Sequence, residues 1–233
     1  MQAIKIYKEP TPEVLEEYSK LKLGDPEIVK KYEELYLRLI VNLVGEKEEY
    51  ILYTVSKAPI TEYCKKSPMI IAENISKRLK IPIIYGELKF NYNKDDFYDL
   101  GDERKAIIPE IKNIEKARNK KLLFLDDSFV TGNSLNVNLG LFQGVAKDFI
   151  FLYILDLSKS KYTEKEANTY ILKKKGISFL KEIAGKDGFL PTSQFIRTFI
   201  DLPEKDKNEI YSELSQERRD SINKAVQLYN SQS

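Results

Sequence analysis

Leu123-Phe124-Leu125-Asp126-Asp127-Ser128-Phe129-Val130-Thr131-Gly132-Asn133-Ser134 decides the reading of this chain. An apolar run of strand character stops abruptly at two adjacent acids, and a Thr-Gly turn then leads into a segment with helical periodicity. In an open parallel sheet the carboxyl ends of the strands border the ligand crevice, so a strand ending in acids places them at that crevice. Two carboxylates there can accept hydrogen bonds from a ribose diol or hold a hydrated Mg²⁺. The hydroxyls and glycine of Thr131-Gly132-Asn133-Ser134, with the first amides of the following helix, form a cradle for a phosphate. Acids for hydroxyls beside amides for phosphate describe a ribose 5-phosphate site.

The segments around this stretch alternate strand and helix. Tyr50 to Val55, Ile81 to Tyr85, Lys121 to Leu125 and Phe149 to Leu155 read as buried strands. Between them lie a helix with Ser67 as cap and Pro68 at its first position, and a helix from Ser134 to Ala146. Its apolar face carries Leu135, Leu139, Phe142 and Val145. Continuous apolar strands separated by amphipathic helices predict an α/β fold with a parallel sheet covered on both faces.

Both ends read as helical. Thr11-Pro12 and Asp25-Pro26 each place a capping side chain before a proline at a first helical position. The second of these helices carries Ile28, Tyr32, Leu35, Leu39 and Leu43 on one stripe and is expected to stop at Gly45. After Ser158 the pattern is helical throughout: Thr163-x-x-Glu166 is a capping box with Gly176 as the stop. Helices follow over Ile177 to Ala184, Ser193 to Ile200, Pro203 to Leu214 and Gln216 to Asn230. The expected division is an N-terminal helical segment (1–47), an α/β core (48–157) and a C-terminal helical extension or hood (158–233).

Composition restricts the chemistry. The 233 residues contain no histidine, which excludes a Ser-His pair or a His base. Cys64 is the single cysteine, so no internal disulfide and no cysteine-built zinc site can form. A reducing, cytoplasmic setting is expected, without a secretory signal at Met1-Gln2-Ala3-Ile4-Lys5 and without a membrane span. A net charge of +2, from 38 basic and 36 acidic side chains, gives no indication of nucleic-acid binding.

The segment from Asp126 to Ser134 resembles the motif by which type I phosphoribosyltransferases bind 5-phosphoribosyl 1-pyrophosphate (PRPP): apolar residues, two acids, three further residues, Thr-Gly, one variable residue, then Ser or Thr. Ser128 and Phe129 stand where aliphatic residues are usual, and Asn133 replaces a smaller one. A haloacid-dehalogenase-type phosphatase would need an aspartate where Ser128 stands. The resemblance spans about Tyr50 to Asp156 and implies a type I phosphoribosyltransferase-like sheet with helical extensions at both ends.

It further implies that Asp126 and Asp127 are the catalytic acids, holding ribose hydroxyls or organising Mg²⁺, directly or through water. Ser128, Thr131, Gly132, Asn133 and Ser134 would anchor the 5-phosphate. Ser56, Lys57 and Ala58, after the first core strand, stand where the family binds pyrophosphate. The polar stretch from Asn91 to Asn119 occupies the place of the family's mobile catalytic loop, with Arg104 and Lys105 as candidates to close over the pyrophosphate. Glu87 and Lys89 could also face the sugar, and Thr192, Ser193 and Arg197 could hold an anion, although capping and solvation explain these residues too.

The implied reaction is phosphoribosyl transfer to a nitrogen acceptor with release of pyrophosphate. The terminal segments match no acceptor signature. A non-catalytic PRPP or nucleotide sensor that contacts a protein partner is the alternative. Apolar residues on the opening helices would suit a homodimer.

Overall fold

The computed structural model describes residues 2–5, 9–44, 49–56, 65–87 and 108–230. A six-stranded sheet has the order β1-β7-β5-β2-β3-β4. Its strands are β1 (Gln2–Lys5), β2 (Tyr50–Ser56), β3 (Ile83–Glu87), β4 (Glu110–Ile111), β5 (Lys121–Leu125) and β7 (Asp148–Tyr153). All neighbours run parallel except β3 and β4. A small second sheet pairs β6 (Ser128–Phe129) with β8 (Leu155–Asp156) just beyond the ends of β5 and β7.

The strands read as unbroken apolar runs because both faces of the sheet are covered. Successive side chains point to opposite faces. Leu52, Leu123, Leu125, Ile150 and Leu152 pack with α1 (Pro12–Leu23), α2 (Pro26–Leu43) and α3 (Ser67–Leu79). Ile51, Tyr53, Leu122, Phe124, Phe149 and Phe151 pack with α4 (Asn133–Phe142) on the other side. That second face is aromatic: Phe124 lies 5.0 Å from both Tyr53 and Phe151, ring centre to ring centre. Tilted ring pairs at this spacing add to what burial alone contributes.

The helices α5 (Glu164–Asn168), α6 (Tyr170–Lys175), α7 (Ile177–Gly185), α8 (Ser193–Ile200), α9 (Glu204–Ser212) and α10 (Gln216–Asn230) follow the sheet. From α6 onward they share a separate apolar core that includes Phe179, Ile183, Phe195, Phe199, Ile210 and Ile222. Leu23 at the end of α1 belongs to this core, whereas Leu15, Tyr18 and Leu21 of the same helix belong to the sheet core. Thus α1 joins the two cores.

Three elements fasten α1. The Ser67 hydroxyl of α3 donates to the Leu21 carbonyl, and the Thr192 hydroxyl before α8 donates to the Lys22 carbonyl at 2.7 Å. The Ile171 amide of α6 donates to the Ser19 hydroxyl at 2.9 Å. The last carbonyls of a helix are under-satisfied within it; the Thr192 hydroxyl serves the Lys22 carbonyl, and the Ser67 hydroxyl adds a second donor to the Leu21 carbonyl, which also accepts the Gly24 amide. Gly24 ends the helix with φ +87°. A Cβ there would stand 2.9 Å from the Leu190 carbonyl oxygen, so both conformation and space require glycine.

The structure departs from the sequence reading in several places, among them the end of α4, which stops at Phe142 rather than Ala146. A strand, β1, precedes the opening helices and forms a sheet edge against β7. Ser67 makes no cap: Lys66 holds that position without a side-chain bond, because the Ser67 hydroxyl is drawn to α1. The capping box at Thr163 and Glu166 forms and the helical stretch stops at Gly176 as expected, but it is broken at Thr169 into α5 and α6. The last strand is likewise divided at Ile154, whose amide turns to the Asp127 carbonyl. The expected stop at Gly45 lies outside the described residues, and α2 ends at Leu43.

Thr192 tests the fastening of α1. Its buried hydroxyl donates to Lys22 and accepts from the Phe195 amide at 3.1 Å, capping α8. Thr192→Val keeps the shape and removes both bonds. The expected loss is about 3 kcal/mol, read as a lower urea midpoint with an unchanged slope. A loss below about 0.5 kcal/mol, within the range of ordinary surface substitutions, would contradict the role given to this hydroxyl.

Candidate active site at the end of the fifth strand

β5 ends in Asp126-Asp127, and the structure treats the two acids differently. Asp127 is 5% exposed. Its Oδ2 lies 2.5 Å from Lys22 Nζ, and its Oδ1 accepts from the hydroxyls of Tyr18 and Ser128, each at 3.3 Å. Both oxygens are therefore engaged by the chain itself. Asp126 is only partly buried. Its Oδ1 accepts the Asp127 amide at 3.0 Å, while its Oδ2 has a long contact of 3.5 Å with the Ser134 hydroxyl. At that length the second bond is weak, which leaves Oδ2 as the more available carboxylate oxygen of the pair.

Tyr36 of α2 completes the surround by donating to the Asp126 backbone carbonyl at 2.8 Å. Burial and the neighbouring Asp127 carboxylate raise the Asp126 pKa to about 6, against the opposing pull of Lys66, the Asp127 amide and Lys22. Burial, together with the Asp127 and Asp126 carboxylates, also raises the Tyr18 and Tyr36 hydroxyls well above the usual phenol range. Both tyrosines therefore act as neutral hydrogen-bond donors.

After the acids the chain turns. Gly132 has φ +77° and stands at the N-cap of α4 without a side-chain cap. The Thr131 hydroxyl accepts from the Asn133 amide at 3.4 Å, and the Thr131 and Ser134 side chains are exposed. Phe129 packs against Tyr153 and Phe151, at 5.5 and 6.4 Å, which fixes the turn to the aromatic face of the sheet. The turn thus presents hydroxyls and the start of a helix beside the available oxygen of Asp126.

Of the other candidate residues, Ser56 is buried at the end of β2 and pairs in register with Glu87 of β3. Lys57, Ala58, Cys64, Lys89, Arg104 and Lys105 lie outside the described residues. Thr192 and Ser193 are tied into the start of α8: Thr192 caps the helix, and the Ser193 amide donates to the Lys65 carbonyl. Thr192 is linked to the acids through Lys22, whose carbonyl accepts its hydroxyl and whose ammonium pairs with Asp127.

The sequence reading missed Tyr18, Lys22, Tyr36 and Lys66. Lys66 Nζ donates to the Val55 carbonyl at 3.3 Å and acts electrostatically on Asp126. Tyr18, Lys22 and Tyr36 come from the two opening helices, and Lys66 from the loop that precedes α3. Tyr18 and Tyr36 are fully buried, with their hydroxyls directed to the motif, and the buried stripe of α2 is Tyr32, Tyr36 and Ile40 rather than the expected Leu35, Leu39 and Leu43.

Among the described residues no group of three or more acids, histidines or cysteines could hold a metal alone. The donor set still fits Mg²⁺ in one form. That ion binds through one or two carboxylates together with water and substrate phosphates, which suits Asp126 Oδ2 beside a phosphorylated ligand. Among the described residues no helix is long and apolar enough to cross a membrane.

No family model matches the sequence, and no curated protein matches it. Solved structures of phosphoribosyltransferases are similar to the chain in fold. A hypoxanthine phosphoribosyltransferase from Staphylococcus aureus aligns with 14% identity and a TM-score of 0.33 over 63% of this chain. The alignment spans 65% of the length of that enzyme. A purine phosphoribosyltransferase from Pyrococcus horikoshii has 14% identity and a TM-score of 0.33, covering 58% of this chain and 91% of its own. An adenine phosphoribosyltransferase from Leishmania tarentolae has 13% identity and a TM-score of 0.38, covering 61% and 75%. Overlaps this distant leave the chemistry to this chain's own residues.

The raised Asp126 pKa has a direct consequence for stability. The folded protein holds this proton up to about pH 6, against an ordinary value of 3.8. Stability from this group is complete below about pH 4 and is lost as pH rises through 6. Asp126→Asn removes the penalty, so the variant should match the native melting temperature near pH 4 and exceed it at pH 7. A difference that does not change with pH would refute the assignment.

Proposed function

We propose that the chain binds PRPP at the carboxyl end of β5 and transfers its phosphoribosyl group to a nitrogen acceptor, releasing pyrophosphate. The observation that carries this reading is one continuous arrangement. A buried parallel strand ends in Asp126 and Asp127, and a left-handed glycine turn at Gly132 opens α4 beside them. Asp126 would accept a hydrogen bond from a ribose hydroxyl, and Asp127 would hold the wall behind it. Ser128, Thr131, Gly132, Asn133 and Ser134 would receive the 5-phosphate through hydroxyls and helix-start amides.

Ser56, Lys57 and Ala58 are proposed for the pyrophosphate, and Arg104 and Lys105 for closure over it. Mg²⁺, when bound, would neutralise charge on the pyrophosphate as the glycosidic bond breaks. This chain's residues would supply position and electrostatics, the terms on which a positively charged sugar transition state depends. No histidine enters any of these roles. A cytoplasmic setting accords with the lone Cys64.

A second reading has its own support. Tyr18, Lys22 and Tyr36 crowd the acids from α1 and α2, and Lys22 already neutralises Asp127. Such a site suits a PRPP or nucleotide sensor whose helical ends contact a partner or a second copy.

Calorimetry with PRPP and Mg²⁺ tests the common part of both readings. Asp126→Asn should weaken PRPP binding by about tenfold or more, the loss of a charge-assisted hydrogen bond, with the fold intact. Equal binding by variant and native protein would sink the site. Release of pyrophosphate with a nucleobase would favour the transferase, and binding without turnover the sensor.

A further inference from the structure

The site contains a cation of its own. Lys22 Nζ lies 2.5 Å from Asp127 Oδ2, and the two side chains are 10% and 7% exposed. The backbone that carries Lys22 is held on both sides, by Ser67 at the Leu21 carbonyl and by Thr192 at the Lys22 carbonyl. The other oxygen of Asp127 accepts from Tyr18 and Ser128. An ion reaching Asp127 would have to displace donors fixed by α1, α3 and the start of α8.

We propose that Lys22 is a built-in cation that takes the place of a divalent metal on the second acid. This rests on the PRPP reading of the site and assigns the two acids separate tasks. Asp127, paired with Lys22, carries no net charge toward the ligand. Asp126 alone addresses the sugar-phosphate, through a hydroxyl or through water on a metal that arrives with the ligand.

Two physical points favour this over a tie that merely joins α1 to the sheet. A buried ion pair contributes little to stability relative to apolar packing, because desolvation offsets the attraction. This pair also stands just past the end of β5, beside the more available carboxylate oxygen of Asp126, where ligands meet open parallel sheets. Hard divalent ions depend on carboxylate charge, so removing one unit of charge from an acid pair weakens metal binding by the free protein.

The test uses Mn²⁺ as the probe and the full chain without PRPP, with free Mn²⁺ measured by electron paramagnetic resonance. Lys22→Met frees the second carboxylate and should tighten Mn²⁺ binding by at least about tenfold. Lys22→Arg keeps the cation and should bind as weakly as the native chain. Lys22→Met/Asp127→Asn removes both charges and should also return to the native level. A folded Lys22→Met chain with native Mn²⁺ affinity would overturn the proposal.

The native chain provides an arm that does not depend on the folding of any Lys22 variant. Mn²⁺ binding by native protein that is tight and is lost in Asp127→Asn would equally overturn it. Because none of these arms contains PRPP, their outcome is separate from success or failure of PRPP binding.

Discussion

The contact between Lys22 and Asp127 is the constraint on which the site depends. It sets the end of β5 against α1, and α1 in turn contributes residues to both the sheet core and the C-terminal helical core. A buried carboxylate without a partner is costly, so Asp127 can occupy its position only while α1 is seated. Seating α1 requires hydrogen bonds from Ser67, Ile171 and Thr192, which come from α3, α6 and the start of α8. Segments distant in sequence thereby share control of one carboxylate.

This arrangement gives the terminal helices a physical role. They complete the wall of the crevice: Tyr18 and Lys22 from α1 and Tyr36 from α2 reach the two acids. Their hydroxyls and ammonium replace water that would otherwise solvate the pair. The consequence is asymmetry. Asp127 is held by α1, and Asp126, partly buried with a raised pKa, has the more available oxygen, the one proposed for the ligand. A carboxylate held at a cost in stability is a common feature of functional sites.

Much of this was legible in the sequence, for identifiable reasons. The run from Leu122 to Leu125 is apolar on both faces, so its burial within a central parallel strand follows from the sequence pattern alone. Thr11-Pro12, Asp25-Pro26 and the Thr163–Glu166 box are local signals, and each forms its cap within a few residues of chain. Gly132 likewise declares its turn. β1 was hidden because Gln2–Lys5 is short and polar at its ends, and only pairing with β7 makes it a strand.

The surround of the acids was hidden for a different reason: the bonds from Tyr18, Lys22 and Tyr36 span ninety residues or more. Lys22 and Asp127 are separated by 105 positions, and Tyr36 and Asp126 by 90. No periodicity records such a pairing. A lysine near the end of an amphipathic helix is ordinarily solvated or favourable to the helix dipole. Tyrosine on an apolar stripe reads as core, and in this fold Tyr18 and Tyr36 are core as well as site.

Hydrogen exchange with mass spectrometry, with and without PRPP and Mg²⁺, tests most directly whether the end of β5 and α1 form one ligand crevice. PRPP should slow exchange in peptides covering Asp127 to Asn136 and, together with them, Ser19 to Gly24. Protection confined to the C-terminal helices, or no change at Asp127 to Asn136, would contradict this account.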